Sequence, residues 1–159
     1  MRQGSVRHSS FVVERRYEAP PSRVFAAWAD PKAKRRWFGG PEEWLTVETE
    51  LDFRVGGREL NRVGPSEGPL HTFDARYHDI VADRRIVYSY DMYLDQRRIS
   101  VSLATVELLP EGSGTRLIFT EQDAFLDDGE KPQQREQGTR ELLDALAVEV
   151  EPPRIGRPT

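Results

Sequence analysis

The chain has 159 residues, 37% hydrophobic and 31% charged, with 23 basic against 27 acidic side chains and a net charge of −4. That is the length of one domain able to bury about 70% of its unfolded surface, too apolar for a disordered chain and too balanced for a field that would attract nucleic acid or anionic lipid. The absence of cysteine removes disulfides, thiolate catalysis and thiolate zinc sites and points to a cytoplasmic setting; the sequence shows neither a signal-peptide core before Phe11 nor the run of about 20 apolar residues a membrane span needs.

In chain order, SFVVERRYE (10–18) alternates Phe11, Val13, Arg15 and Tyr17 against Val12, Glu14, Arg16 and Glu18, the period of a strand with one partly polar face. The prolines of APPSRVFAAWADP end that strand, and Val24, Phe25 and Trp28 then fall at helical spacing. Asp30 stands where an N-cap belongs and Pro31 at a first helical position, so a second short helix is expected through KAKRRWF, stopped by Gly39 and Gly40. Its cations, Lys32, Lys34, Arg35 and Arg36, are expected to face water and complement the helix dipole rather than form a nucleic-acid patch.

WLTVETELDFRVGG followed by RELNRV reads as a hairpin turning at Gly56-Gly57, and GPSEGP (64–69) as a second turn. HTFDARYHDIV and RRIVYSYDMYL are two further strands, and ISVSLATVELLP with TRLIFTEQDAF a hairpin joined through EGSG, about seven strands in all. A helix is expected from about Asp128, with Leu142, Leu143 and Leu146 forming one buried stripe. The domain is thus assigned to 10–150, between a flexible N-terminus (1–9) and a flexible proline-rich tail (151–159). The order implies an α+β fold, an antiparallel meander with one apolar face covered by the long helix.

Four segments, APPSRVFAAWADPKAKRRWFG, ELDFRVGGREL, YHDIVADRRIVYSYD and GSGTRLIFTEQDAF, resemble in wording and order the START-like helix-grip superfamily, also called SRPBCC. The narrower resemblance is to the branch named for the activator of the ninety-kilodalton heat-shock protein's ATPase, and it covers most of 11–147. It implies a curved sheet gripping the C-terminal helix, with a cavity between them for an apolar or amphipathic small molecule. It also implies that the two short helices plug the open end, with Val24, Phe25 and Trp28 inward and Trp37 and Phe38 near the mouth.

Independently of the resemblance, stepping back along the stripe of the last helix gives Gly138 and Gln134, with Arg135 and Thr139 beside them, so its first half offers little bulk. Either a pocket with a polar rim remains there, or a bulky sheet residue fills the gap. Leu117, Phe119 and Glu121 share a strand face, as do Ile86, Tyr88 and Tyr90. If those faces are core, Glu121 and Tyr90 are the lead pair for ligand contact and the candidates for general acid and base work; otherwise Glu121 lies in solvent at a strand end.

His71 and His78 are seven apart on one strand and point to opposite faces unless a bulge intervenes, so no metal site is expected and no cofactor is called for. No nucleophile elbow, dinucleotide fingerprint or phosphate loop occurs. The preferred reading is a small-molecule binder that leans away from catalysis. A cavity enzyme of the cyclase, dehydratase or hydrolase kind and a chaperone-associated interaction module are the alternatives, and homodimerisation through a sheet edge is compatible with the fold.

Overall fold

The computed structural model describes residues 5–152; the flexible ends expected at 1–9 and 151–159 fall in part on 1–4 and 153–159, outside the described residues. Seven strands form, β1 (Arg7–Tyr17), β2 (Leu45–Leu51), β3 (Arg58–Gly64), β4 (His71–Val81), β5 (Arg85–Leu94), β6 (Arg97–Glu111) and β7 (Gly114–Phe125), with three helices, α1 (Pro21–Ala29), α2 (Pro31–Trp37) and α3 (Pro132–Val150). The strands make one antiparallel sheet in the order β1-β7-β6-β5-β4-β3-β2, so β2 to β7 are a meander and β1 pairs with its last strand.

Two boundaries differ most from the sequence pattern. β1 starts at Arg7 because its partner runs on to Phe125, directly opposite Arg7. α3 starts at Pro132 because Asp127 Oδ1 takes the Gly129 amide at 2.7 Å and turns the chain, while the Lys131 amide donates to Gln134 Oε1 at 2.7 Å and closes the first helical turn. α2 begins as expected, with Asp30 accepting from the Lys32 amide at 3.3 Å and Pro31 in the first turn. The turn before β3 needs its glycines: Gly56 has φ +85°, and a Cβ on Gly57 would lie 2.0 Å from the Asp52 carbonyl.

The inner face of the sheet contributes Val13, Ile86, Val106 and Leu117 to a core closed by Leu143, Leu146 and Val150 of α3 and by Val24 and Trp28 of α1, all buried. Removing such side chains from water is worth roughly 1.5–3 kcal/mol each, which fixes the C-terminal half of α3 on the sheet. The buried Tyr17 hydroxyl donates to the Leu143 carbonyl at 2.8 Å and ties β1 to that half.

The expectation that the cations of α2 all face water fails at Lys34, which is only 4% exposed. Its Nζ donates to the equally buried Glu59 at 2.9 Å and lies 4.4 Å from the centroid of Phe38, with Trp28 and Trp37 close by. Glu59 also accepts from the Tyr77 hydroxyl at 2.6 Å. A buried cation is tolerated because a carboxylate and aromatic faces replace its water. Lys32, Arg35 and Arg36 do face solvent, Arg36 in a 2.7 Å ion pair with Glu149 of α3.

Candidate functional site

Between the sheet and the N-terminal half of α3 lies a cavity of about 1010 Å³. Gly138 borders it, and a Cβ built on Gly138 would meet no atom within 4 Å, so the gap in the helix stripe is open and no bulky sheet residue fills it. Of the sequence candidates, Trp28, Trp37 and Phe38 line the plugged end, and Tyr88, Tyr90, Phe119 and Glu121 line the sheet wall. Gln134 joins Gly138 on the helix wall. Phe25 is the exception: it packs edge-on against Phe53, 5.6 Å between centroids, and does not border the cavity. It sits three residues before Trp28, on a flank of α1 turned toward the β2–β3 connection.

An aromatic wall runs along one side, with Phe38 on Phe73 at 5.0 Å and Phe73 on Tyr90 at 4.8 Å. Trp44 stacks on His71 at 4.6 Å, and both border the cavity. Burial lowers the His71 pKa from its ordinary value, against the pull of Glu130 and Asp95. His78 sits at the β-bulge between Tyr77 and Asp79, exposed and in contact with Ser89, so the bulge does not bring it to the cavity beside His71. Among the described residues no group of three or more His, Cys, Asp or Glu side chains is placed to hold a metal ion.

The floor of the cavity is polar. The Tyr90 hydroxyl donates to Glu121 Oε2 at 2.7 Å, and both residues are buried, Glu121 at 1% exposure. Room for them comes from small neighbours: Ala104 lies opposite Glu121, while Ala75 and Ser102 flank Tyr90 in the ladder. Into that space α3 sends Arg135. Its Nη1 donates to the Tyr90 hydroxyl at 3.0 Å and to Ser102 at 3.2 Å, its Nη2 to Ser100 at 2.8 Å and to Glu130 at 2.7 Å, and its Nε to Glu130 at 2.8 Å. Asp123, one pleat along from Glu121, accepts through Oδ1 from Ser102 at 2.5 Å and from Arg135 Nη1 at 3.5 Å, while Oδ2 is buried with no hydrogen-bond donor among the described residues.

Burial drives the Glu121 pKa well above its ordinary value; the hydrogen bond and negative charge of Asp123 push the same way, against the Tyr90 hydrogen bond and the Arg135 charge. A protonated Glu121 shared with Asp123 supplies a donor for that carboxylate oxygen. Tyr90 is held well above its ordinary value by burial and then by Glu121. For Arg135, burial lowers the pKa, but the surrounding acceptors outweigh it and the guanidinium stays charged.

Sequence reasoning paired Glu121 with Tyr90 but missed Arg135, Asp123 and the two serines as parts of one cluster. The signals were present: Asp123 is two residues from Glu121 and therefore on its face, and Ser100 and Ser102 share a face of β6. Arg135 needed the crossing of α3 over the sheet, which no spacing encodes. Trp44 and His71 likewise meet only through the fold.

A curved antiparallel sheet closed on a C-terminal helix, with two short helices at one end and a cavity between, defines the helix-grip class of START-like domains. Residues 18–151 match the family model described as Activator of Hsp90 ATPase homolog 1-like protein, and the chain belongs to that family. A protein of Rhizobium loti is 49% identical in sequence, covers 91% of this chain and 99% of its own, and superposes with a TM-score of 0.85. An uncharacterized protein of Rhizobium leguminosarum is 46% identical, with 92% of this chain and 96% of that one covered and a TM-score of 0.87. A protein of Chromobacterium violaceum is 30% identical over 91% of this chain and 98% of that one, with a TM-score of 0.75. No match was found among curated proteins. No helix of the described residues is long and apolar enough to cross a membrane.

Proposed function

We propose that this protein binds a small molecule with an apolar or aromatic body in the cavity between the sheet and α3. The observation that carries the reading is the open space against Gly138, continuous with an aromatic wall and ending on the Glu121–Tyr90–Arg135 cluster. The cavity of about 1010 Å³ opens to solvent at one side, and concave spaces with an aromatic wall and a few convergent polar groups are what ligand sites look like. Phe38 and Phe73 would hold the body of the ligand, and the cluster would orient its polar end.

A second reading, catalysis, has one specific observation in its favour: a carboxyl held protonated beside a tyrosine is equipped to pass a proton to a bound substrate. The interaction-module reading has less support, because the exposed apolar residues of the outer face are interrupted by polar ones: Thr120 stands opposite Val12, and Gln122 opposite Leu103. The basic patch that would have favoured nucleic acid is reduced by the burial of Lys34 and the pairing of Arg36 with Glu149.

The test is thermal unfolding against a panel of fatty acids, sterols, flavonoids, polyketide-like aromatics and hydrophobic amines. A ligand at 100 times its Kd stabilises by about 2.7 kcal/mol, roughly 5 to 10 °C for a chain of this length. The shift should vanish in Gly138→Leu, which puts a side chain into the open space. An unchanged shift in that variant refutes the cavity, and turnover of any hit that is lost in Glu121→Gln with binding kept would establish the catalytic reading.

A further inference from the structure

The cavity floor is asymmetric in what it can still offer, and on that the class of ligand turns. Arg135 is the obvious anchor for a carboxylate, since guanidinium forks grip such groups in two-pronged fashion. Here it has none to give. A guanidinium has five N–H donors, and all are used: two on Glu130, one on Ser100, and the two of Nη1 among Tyr90, Ser102 and, at 3.5 Å, Asp123. Glu121 and Tyr90 contribute acceptors instead. Tyr90 spends its own proton on Glu121 Oε2 and keeps a free lone pair; among the described residues no N–H or O–H donates to Glu121 Oε1, which becomes an acceptor once the proton that Glu121 shares with Asp123 is displaced, and the side chain borders the cavity.

The charges agree. Facing Glu121 are Asp123 on its own strand, Tyr90 and Tyr88 on β5 and Arg135 on α3, with Glu130 behind Arg135 and His71 higher on the wall. Three carboxyl groups thus surround one guanidinium, and the floor carries negative charge even when Glu121 and Asp123 share a proton. A carboxylate or phosphate brought here would lose its water, meet that charge and find no free guanidinium N–H on Arg135, which is costly in a buried site.

We propose that the ligand of this cavity carries a hydrogen-bond donor at its polar end, best a protonated amine, set against Glu121 Oε1 and the Tyr90 hydroxyl, with its apolar body along the aromatic wall. The proposal rests on the cavity-binding reading above and sharpens it: amphiphiles ending in a carboxylate, fatty acids among them, are the wrong class. An amine would replace the proton held by Glu121, so its binding should release a proton to solvent.

The experiment uses three fluorescent probes that share one body, 1-pyrenemethylamine, 1-pyrenemethanol and 1-pyreneacetic acid, titrated into the purified full chain at pH 7 and followed by pyrene emission. The expected order is amine, then alcohol, then acid, with about tenfold between the ends, the worth of one charge-assisted hydrogen bond. In Glu121→Gln, shown by circular dichroism to be folded, the amine should weaken about tenfold and the alcohol by less than about threefold. Gly138→Leu should abolish all binding. The acid binding as tightly as the amine, or an amine affinity untouched by Glu121→Gln, overturns the donor assignment and leaves the cavity reading standing. Amine binding that survives Gly138→Leu is attraction to the acidic surface and also overturns it. Failure of all three probes overturns both.

Discussion

The protonation of Glu121 can be read out as stability without knowing the ligand. In the unfolded chain this carboxyl titrates near its ordinary value of 4.5, whereas in the fold burial and Asp123 hold it well above. At any pH between those two values the folded protein holds a proton that the unfolded chain has released. The stability is therefore full below 4.5 and is lost as pH rises toward the folded value, at up to about 1.4 kcal/mol per pH unit. Glu121→Gln deletes the titration. The amide keeps the oxygen that accepts from Tyr90 at 2.7 Å and offers an N–H to Asp123, so at pH 5 the variant should match the wild type within about 1 kcal/mol. From pH 5 to 7 the variant should gain on the wild type by up to about 3 kcal/mol, roughly 5 to 10 °C in Tm. Thermal and urea melts of both proteins at pH 5, 6 and 7 measure the divergence. Parallel curves would refute the reasoning, because they would mean that Arg135 and Tyr90 keep Glu121 ionised in the fold.

Three further predictions follow from packing. Lys34→Met strands the charge of Glu59 at 4% exposure and should lower stability by about 3–5 kcal/mol in urea titration, whereas adding Glu59→Gln should recover most of it. Gly138→Ala places a methyl where nothing lies within 4 Å and replaces the poorest interior helix former but proline, so Tm should rise by roughly 2–4 °C for about 1 kcal/mol. Tyr17→Phe removes the 2.8 Å bond to the Leu143 carbonyl, an oxygen inside a helix that retains its own backbone partner, and should lose only about 0.5–1.5 kcal/mol by the same assay.

The fold was legible because its signals are local. Period-two alternation in SFVVERRYE and ISVSLATVELLP, Asp30-Pro31 before KAKRRW, and the glycines at 56 and 57 each act over a few residues, and the structure answers each one. The polar interior was legible only by half. Glu121 and Tyr90 follow from strand parity, since each continues a face already declared by apolar neighbours. Lys34 is misread by the same logic, because in KAKRR it is one cation among four and nothing nearby says that Glu59, 25 residues on, will meet it. Arg135 falls beside the stripe of the last helix, but nothing in the glutamines and glutamate around it names the sheet residues it meets. What decides both is a long-range pairing, and a buried charge carries no local mark of its partner.

The two halves of α3 therefore do different physical jobs. Leu143, Leu146 and Val150 bury apolar surface and anchor the helix; Arg135, Gly138 and Thr139 face the cavity end, where polar groups and an absent side chain forgo that gain. A helix so divided stays seated by its C-terminal half whatever occupies the other end. The Arg135 cluster is built before any ligand arrives, since every guanidinium N–H already has its acceptor in the protein. Recognition on such a floor requires no rearrangement of the arginine. In the proposed binding mode it falls to the acceptor atoms of Glu121 and Tyr90, and the proton on Glu121 is then the variable that ligand chemistry and solution pH both control.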